Sequence, residues 1–301
     1  MANFRIRQAH ADDAPAVVAL RSRVYPYLVR GVASTRRMIS IPLPREDRAT
    51  FVAETEGEVV GWVSAYRNLR AAQPDIGQIS LLHVHPEHRR RGIGDALLSA
   101  SAGHLRAVGI RRAAATTTVE ALGFAERYGF RPVRELRYAR LDLSLMRAGP
   151  PVVPEGLRLV PLHDVDERAL YEADVAAASD EPGDVAAAPA PFELWRHDVW
   201  ADDELDRDAS TAVMAGSEVV SFALLTRDGD RAWSDMTATV PARRRRGLAR
   251  LAKAASLRHA AAGGVRAAYT GNDESNAAMV AVNAGLGYRV VATQVSGMAA
   301  L

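Results

Sequence analysis

The sequence predicts a mixed α/β protein in which one arrangement of strands and helices is repeated. The chain has 301 residues, which is enough for two domains with a core each. Four segments of the first half recur in the same order in the second half, each 153 to 160 residues further on. Each half also contains a strand pattern that runs through an arginine–glycine turn into a helix pattern. Together these observations predict two homologous α/β halves.

The repeated segments define the two halves. The pairs are "FRIRQAHADD" from Phe4 with "LRLVPLHDVD" from Leu157, "EVVGWVSAY" from Glu58 with "EVVSFALL" from Glu218, "RRRGIG" with "RRRGLA", and "YGFRPV" with "LGYRVV". Between the halves, "MRAGPPVVPEG" is rich in Gly and Pro, which interrupt regular structure. We therefore predict domains at 1–147 and 157–301, joined by a linker at 148–156.

Periodicity gives the order of elements in each half, with strands where apolar residues alternate and helices where they recur every three or four residues. The predicted elements of the first half are a strand at 4–8, a helix at 12–23, strands at 50–54, 59–67 and 77–86, a helix at 92–108, a strand at 111–118, a helix at 119–129 and closing strands at 133–143. Those of the second half are a helix at 167–176, strands at 211–214, 219–226 and 232–240, a helix at 247–262, a strand at 265–271 and a helix at 275–287.

Composition narrows the function classes. The chain has no cysteine, which excludes disulfides, thiolate metal sites and cysteine nucleophiles. Basic and acidic residues nearly cancel, at 38 against 36, so we expect no nucleic-acid partner; Lys253 is the only lysine. No apolar run approaches the ~20 residues of a membrane helix, and the first residues lack a signal-peptide pattern. We expect a cytoplasmic protein with no membrane partner. His83, His85 and His88 have no ligand cluster around them, so we expect no metal.

The arginine–glycine turn predicts an anion site. A strand that enters a helix through a tight turn presents unpaired backbone N–H groups at the positive end of the helix dipole. Glycine lets phosphate oxygens approach that backbone, and arginine adds charge-assisted bonds. A surface turn with solvated arginines is the alternative for one copy alone, but two equivalent copies favour the anion site. The residues are Arg89, Arg90, Arg91, Gly92, Ile93 and Gly94 in the first half and Arg244, Arg245, Arg246, Gly247, Leu248 and Ala249 in the second.

Among known phosphate-binding motifs, a Walker loop is excluded because neither copy has Gly-Lys-Ser/Thr. A Rossmann fingerprint is excluded because the third glycine and the later acidic residue are missing. Instead, "V-x-P-E-H-R-R-R-G-I-G-x-A-L-L" resembles the acetyl-CoA loop of the GNAT acetyltransferase superfamily, whose pattern is Arg/Gln-x-x-Gly-x-Gly/Ala. The segments "YGF" and "LGY" resemble the Gly-Phe that ends a later helix of the family.

The resemblance covers both halves and implies two tandem GNAT-like domains, each a mixed, splayed central sheet flanked by helices. It implies acetyl-CoA as co-substrate and an acceptor amine that attacks the thioester directly. Backbone amides of the strand before each loop are expected to bind the pantetheine arm and the thioester carbonyl. By position these are Leu82 to Val84 in the first half and Thr237 to Thr239 in the second.

Both halves depart from the family at an Asn-x6-Tyr pattern, in which the Asn contacts the carrier and the Tyr protonates the departing thiolate. The second half has Asn276 and Asn283 at these places, and the first half has Thr118 and Ala125. An amide can hydrogen-bond the sulfur or the carrier but does not donate a proton as a phenol does. Tyr128 and Tyr288 lie nearby, at positions that we expect to pack.

We expect transfer in the second half, which keeps Asn276. The acidic loop 179–189, with Asp180, Glu181 and Asp184, would attract an ammonium-bearing acceptor; a mobile surface loop is the alternative. Asp235 is the candidate general base there, acting through a water, and Asn283 is the candidate at the sulfur. His83 is the equivalent base candidate in the first half, which keeps the fuller Gly-Ile-Gly loop. The segment 25–44 is either an acceptor lid of the first half or a plain helix and loop.

The main hypothesis is an N-acetyltransferase that acts on a small-molecule amine, as a monomer or homodimer. The alternative is a non-catalytic acyl-CoA sensor or scaffold, which would explain both missing tyrosines. An RNA surface is the weakest hypothesis, because aromatic residues make up only 6% of the chain and RNA-binding surfaces interleave them with basic residues.

Overall fold

The computed structural model describes residues 4–146, 151–178 and 183–301. Part of the predicted linker, together with Asp180 and Glu181, lies outside the described residues. The chain forms two compact units, each assembled from separate stretches of sequence. Unit 1 comprises Met1–Leu136, Gly183–Ala188 and Thr293–Leu301, and unit 2 comprises Arg137–Pro182 and Pro189–Ala292. The domains predicted at 1–147 and 157–301 stay a prediction.

Unit 1 is a mixed sheet with helices on its faces. Its elements are β1 (Arg5–Gln8), α1 (Ala14–Val24), α2 (Val32–Ser40), β2 (Ala49–Thr55), β3 (Glu58–Arg67), β4 (Ile76–Val84), α3 (Ile93–Ala107), β5 (Arg112–Thr118), α4 (Leu122–Arg127), the first part of β6 (Arg131–Asp142) and the last part of β12 (Arg289–Ala300). Strands β1 to β4 are antiparallel neighbours, β5 runs parallel to β4, and β12 pairs antiparallel with β5.

Unit 2 repeats this plan. Its elements are the rest of β6, β7 (Arg158–Pro161), α5 (Glu167–Ala177), α6 (Phe192–Trp195), β8 (Thr211–Ala215), β9 (Glu218–Asp228), β10 (Arg231–Thr239), α7 (Leu248–Ala262), β11 (Ala267–Asp273), α8 (Ala277–Leu286) and the start of β12. Strands β7 to β10 are antiparallel, β11 is parallel to β10, and β6 lies on the far side of β11. The mixed α/β fold with two similar units is therefore confirmed.

The sixth strand of each sheet comes from the other half of the sequence. In unit 1 the end of β12 lies next to β5, with Ser296 opposite Thr116. In unit 2 the end of β6 lies next to β11. The boundaries between the units fall within β6, after Leu136, and within β12, before Thr293.

The helix that follows each arginine–glycine loop packs on its own sheet. In unit 1, Ile93 and Leu97 of α3 are buried against Val63 of β3. In unit 2, Leu248 of α7 is buried against Val220 of β9. These contacts fix the start of each helix at the end of its strand, which is where the loop lies. None of the helices in the described ranges is long and apolar enough to cross a membrane.

Candidate functional site

In unit 1, β4 and β5 separate part-way along their length. Their parallel pairing covers Ile76–Ile79 opposite Arg112–Ala115 and ends there. Just beyond, Leu81 has a φ of 58° and the pairing with β3 is irregular, as in a β-bulge. The second parts of the two strands are therefore not paired with each other, which leaves an opening in the sheet.

Unit 2 has the same opening between β10 and β11. The parallel pairing covers Arg231–Trp233 opposite Ala267–Tyr269. The pairing of β10 with β9 is irregular between Ser234 and Thr237. Both sheets are thus splayed at the strand that leads to the arginine–glycine loop, as the resemblance implied.

The two loops share an unusual backbone conformation. Arg90 and Gly92 have φ values of 61° and 82°, and their counterparts Arg245 and Gly247 have 60° and 75°. Left-handed residues that alternate with right-handed ones turn successive N–H groups toward one point, which forms an anion-binding nest. A left-handed arginine is strained. The same left-handed residues thus recur at the same places in both loops.

Each loop continues into a helix start that no side chain caps. Gly92 is the N-cap residue of α3 and Gly247 that of α7, and neither helix has a side-chain cap bond. The first-turn amides are therefore available to a ligand at the positive end of each helix dipole. Nest and helix start together suit the diphosphate of a CoA carrier.

The first arginine of each triplet holds its loop to the preceding strand. Arg89 Nε donates to Val84 O at 3.2 Å, and Arg244 Nε donates to Thr239 O at 3.1 Å. Arg244 also donates from Nη2 to Ala177 O at 3.1 Å. These two residues thus position the loop.

The following arginines, Arg90, Arg91, Arg245 and Arg246, are exposed. Ile93 and Leu248, predicted as loop residues, are buried and fix the helix starts. Gly94 and Ala249 lie in the first helical turns. Contact of any of these residues with a carrier stays a prediction.

The two loops differ in charge. Residues 84–95 of unit 1 contain three arginines but also Glu87 and Asp95. The Asp95 carboxylate accepts a hydrogen bond from Tyr128 at 2.6 Å and lies 3.8 Å from Arg127. In unit 2, residues 240–250 contain five arginines and no acidic residue, and Arg250 stands at the position of Asp95. The unit 2 loop therefore carries the larger net positive charge.

The strand residues expected to hold the thioester differ between the units. Leu82 and Val84 are half-buried and pack against the apolar cluster of α3. Thr237 is buried, and its Oγ1 has no hydrogen-bond partner among the residues that the structure describes. Thr239 Oγ1 shares a hydrogen bond with Ser221 at 2.9 Å. Unit 2 thus places an unsatisfied hydroxyl beside its opening.

Asp235 lies on β10 at the bulge, with its side chain exposed. Its Oδ1 accepts a hydrogen bond from Trp233 Nε1 at 3.2 Å, which orients the carboxylate. An exposed, oriented carboxylate beside the opening of the sheet can accept a proton through a water.

His83 occupies a different environment. It is buried in unit 1, its ring lies 5.5 Å from that of Tyr25, and its Nδ1 has no partner in the described ranges. Burial, reinforced by the positive charges of Arg21 and Arg89, lowers the pKa of His83 to about 3. The ring is neutral at physiological pH, and a group with so low a pKa is a weak general base.

Tyr288 and Tyr128, which lie near the segments "LGY" and "YGF", differ in burial. Tyr288 is buried, as expected, and burial raises the pKa of its phenol. Tyr128 is exposed, although we expected it to pack, because it follows the short surface helix α4. Its hydroxyl reaches Asp95, and this hydrogen bond raises the pKa of Tyr128.

Asn276 and Asn283, which stand at the two places of the Asn-x6-Tyr pattern, both form hydrogen bonds. Asn283 is buried, and its Nδ2 donates to Asn272 Oδ1 at 2.6 Å. Asn276 is the N-cap of α8, and its Oδ1 accepts from Met279 N at 3.1 Å. The cap is a structural role, and contact of Asn276 with a carrier stays a prediction.

The Asn276→Ala variant tests the cap. Because the Met279 N–H in the first turn of α8 loses its hydrogen-bond acceptor, we expect the free energy of unfolding to fall by about 1 kcal/mol. Asn276→Asp keeps a capping oxygen and should retain nearly all of that stability. Urea denaturation followed by tryptophan fluorescence measures both, and equal stability of the Ala variant and the parent would contradict the role.

Asp184 lies in unit 1, not in an acceptor wall of unit 2. Its carboxylate accepts hydrogen bonds from Arg134 Nε at 2.6 Å and from Ser296 Oγ at 2.5 Å. A carboxylate paired in this way is not available to the ammonium of an acceptor in unit 2. The sequence could not show this because Ser296 comes from β12, far along the chain.

Sequence reasoning also missed a polar cluster in unit 1. Tyr25 donates a hydrogen bond to Gln294 Oε1, and Gln294 Nε2 donates to Tyr27 at 3.0 Å. The segment that follows forms α2, so 25–44 is a loop and a helix; its role as a lid stays a prediction. No local pattern marks Gln294, since its partners lie 267 and 269 residues away.

The known proteins and the family profile whose sequences match this chain are described as acetyltransferases. The profile of the family described as "Acetyltransferase (GNAT) family" matches residues 15–130. A mycothiol acetyltransferase of Amycolatopsis mediterranei is 31% identical over 254 residues, which are 79% of this chain and 80% of that protein. An amino-acid acetyltransferase of Pseudomonas fluorescens is 34% identical over 140 residues, which are 46% of this chain and 30% of that protein. In this and two further relatives, the match covers less than half of the relative's own length.

Solved structures share the fold along the whole chain. A GCN5-related N-acetyltransferase from Sphaerobacter thermophilus aligns over 100% of this chain and 96% of its own, with a TM-score of 0.72 and 19% identity. A tandem GNAT protein from the clavulanic acid biosynthesis pathway aligns over 99% and 98%, with a TM-score of 0.72 and 22% identity. At these identities the likeness concerns the fold alone.

Proposed function

The chain belongs to the acetyltransferase (GNAT) family, and on that premise we propose that it transfers an acetyl group from acetyl-CoA to the amine of a small molecule, with transfer in unit 2. The observation that carries this proposal is the repeated nest at the start of α3 and α7. Its left-handed residues, uncapped helix start and exposed arginines are what a diphosphate requires.

Charge supports the choice of unit 2. The carrier has several phosphate charges, and the unit 2 loop offers five arginines without an acidic residue. In unit 1 the first turn of α3 carries Asp95, whose negative charge opposes a phosphate at the same helix start. We therefore assign the productive carrier site to residues 244–249.

A comparison of the two candidate general bases also supports transfer in unit 2. An amine acceptor is mostly protonated at neutral pH and must lose a proton before it attacks. Asp235 is exposed and oriented by Trp233, whereas His83 is buried with a strongly lowered pKa. We assign Asp235 as the base that removes the proton through a water. Amides of 237–239, with the Thr237 hydroxyl, would hold the thioester carbonyl and stabilise the charge that develops there.

The acceptor is proposed as a small polar amine. Two relatives are named as acetyltransferases of mycothiol and of amino acids, both of which concern small molecules rather than protein tails. The relative named as a mycothiol acetyltransferase matches 79% of this chain, which supports a small molecule as the acceptor.

The experiment compares Asp235→Asn with Asp228→Asn, a matched change of an exposed carboxylate at the end of β9. Thiol release from acetyl-CoA is measured with a panel of small amines. We expect Asp235→Asn to lower kcat about a hundredfold at neutral pH, in the range for loss of a general base, and Asp228→Asn to change it little. Equal rates for the two variants would exclude Asp235 as the base.

The second candidate is a non-catalytic acyl-CoA sensor. The observation in its favour is that Asn283, at the place of the tyrosine acid, is bonded to Asn272. Carrier binding without thiol release across the amine panel would support this function, and turnover with any amine would exclude it as the only role.

A further inference from the structure

Unit 2 contains a buried polar cluster on the α7 side of its opening. The cluster consists of Lys253 of α7, Thr237 of β10, Asn283 of α8 and Tyr288, which directly precedes β12, all less than 10% exposed. Lys253 Nζ lies 5.1 Å from the centroid of the Tyr288 ring. Thr237 Oγ1 and Asn283 Oδ1 have no hydrogen-bond partner among the described residues.

Strand register places Thr237 of this cluster at the opening. Thr237 is opposite Ala223 and Ser234 is opposite Leu225 in the antiparallel pair with β9. Directly opposed residues share a face of the sheet, and both Ala223 and Leu225 pack in clusters with α7. Ser234 and Thr237 thus face α7, at the point where β10 leaves β11.

The same positions are apolar in unit 1. The repeat aligns the four polar residues with Leu98, Leu82, Ala125 and Phe130, in the order Lys253, Thr237, Asn283 and Tyr288. All four unit 1 residues belong to, or pack against, the apolar cluster of α3. The fold therefore accepts an apolar core at this place, so it does not itself require polar residues in unit 2.

Buried polar groups are costly unless they have partners. Lys253 is the only lysine of the chain, and the other 37 residues of the Lys and Arg count are arginines. This one lysine is 1% exposed and belongs to the cluster. Burial lowers the pKa of Lys253 to about 7, so that a negative ligand group would recover the charged form. The ammonium and the Thr237 hydroxyl are hydrogen-bond donors, and Asn283 Oδ1 is an acceptor suited to an amide N–H.

We infer that unit 2 prefers an acyl-CoA whose acyl chain ends in a carboxylate, with Lys253 as the counter-ion of that carboxylate. The inference rests on the proposed function, since it requires the carrier to lie in the opening between β10 and β11. Thr237 provides a second donor beside the acyl group, and Asn283 Oδ1 accepts from an amide N–H of the pantetheine arm. Unit 1, with Leu98 in place of Lys253, has no such counter-ion at this position.

The test measures, by calorimetry, the affinity for succinyl-CoA relative to acetyl-CoA. All proteins carry Gly92→Val, which strains the unit 1 loop so that unit 2 dominates binding. We expect succinyl-CoA to bind at least tenfold more tightly than acetyl-CoA. In Lys253→Leu, which copies unit 1, we expect this ratio to fall at least tenfold. Arg266→Leu removes an exposed positive charge of unit 2 that lies outside the loop and should leave the ratio unchanged.

The outcomes separate the inference from the proposed function. If the ratio is the same with and without Lys253, or if acetyl-CoA binds more tightly, the inference is overturned while the carrier site remains. If neither thioester binds, the proposed function fails as well. Circular dichroism of the Leu variant confirms its folding, which the apolar counterpart in unit 1 leads us to expect.

Discussion

Replacing Gly247 with valine will lower the affinity of unit 2 for acetyl-CoA at least a hundredfold. Gly247 has a φ of 75°, and a β-branched residue is strongly disfavoured there. A Cβ at this position would meet no atom within 4 Å, so the effect comes from the backbone and not from a clash. The loop will relax away from the nest and lose two charge-assisted bonds to the diphosphate, each worth about 1.5–3 kcal/mol.

The control for this variant is Gly229→Val in the turn between β9 and β10. Gly229 has a φ of 62°, and a Cβ there also meets open space, so the backbone strain is matched. Titration calorimetry and turnover with an amine acceptor are measured for both proteins and for Gly92→Val. Full affinity and turnover in Gly247→Val, or loss of turnover in Gly92→Val alone, would contradict the assignment of transfer to unit 2.

Lys253→Leu will raise the free energy of unfolding, by an amount that depends on pH. Burial lowers the pKa of Lys253 from 10.5 to about 7, so between these values the unfolded chain binds a proton that the folded chain does not. The stability of the parent protein therefore rises as pH increases from 7 to 10.5. A pKa separation of this size corresponds to about 5 kcal/mol. We expect the advantage of the Leu variant to be greatest at pH 7 and below, and to shrink by up to that amount toward pH 10.

Urea denaturation of both proteins between pH 6.5 and 10 measures this difference. Three of the four tryptophans lie in unit 2 (Trp195, Trp200 and Trp233), so their fluorescence reports mainly on that unit. Arg250→Leu, on the exposed face of α7, controls for general loss of positive charge. A stability difference that stays constant from pH 7 to 10 would show that Lys253 is charged throughout this range.

The loops were predictable from the sequence because their determinants are local. The strand before each loop, the glycine at the helix start and the apolar residues of α3 and α7 lie within about 25 residues of one another, and the repeat supplies the same pattern twice. Arg89 and Arg244 were expected at the phosphates, yet each gives its Nε–H to the strand that precedes it. An arginine pattern indicates positive charge but not which acceptor each N–H group will find.

The rest of the site depends on contacts between distant segments. Period-two patterns predict β6 and β12 as strands, but they do not specify that the end of β12 pairs with β5. For the same reason the sequence did not show that Asp184 pairs with Arg134 in unit 1. Asn276 fits both a helix cap and a carrier ligand, and only the bond to Met279 N shows the first role. Lys253 became informative once its burial and its contact with Tyr288 were known.

The most direct test of the central claim is a crystal structure of the chain grown with acetyl-CoA. We predict density for the carrier in unit 2, with diphosphate oxygens within hydrogen-bonding distance of backbone amides of residues 245–249 and the pantetheine arm between β10 and β11. A carrier whose diphosphate contacts neither arginine–glycine loop, or a carrier bound only in unit 1 while the crystallised protein is active, would contradict the account.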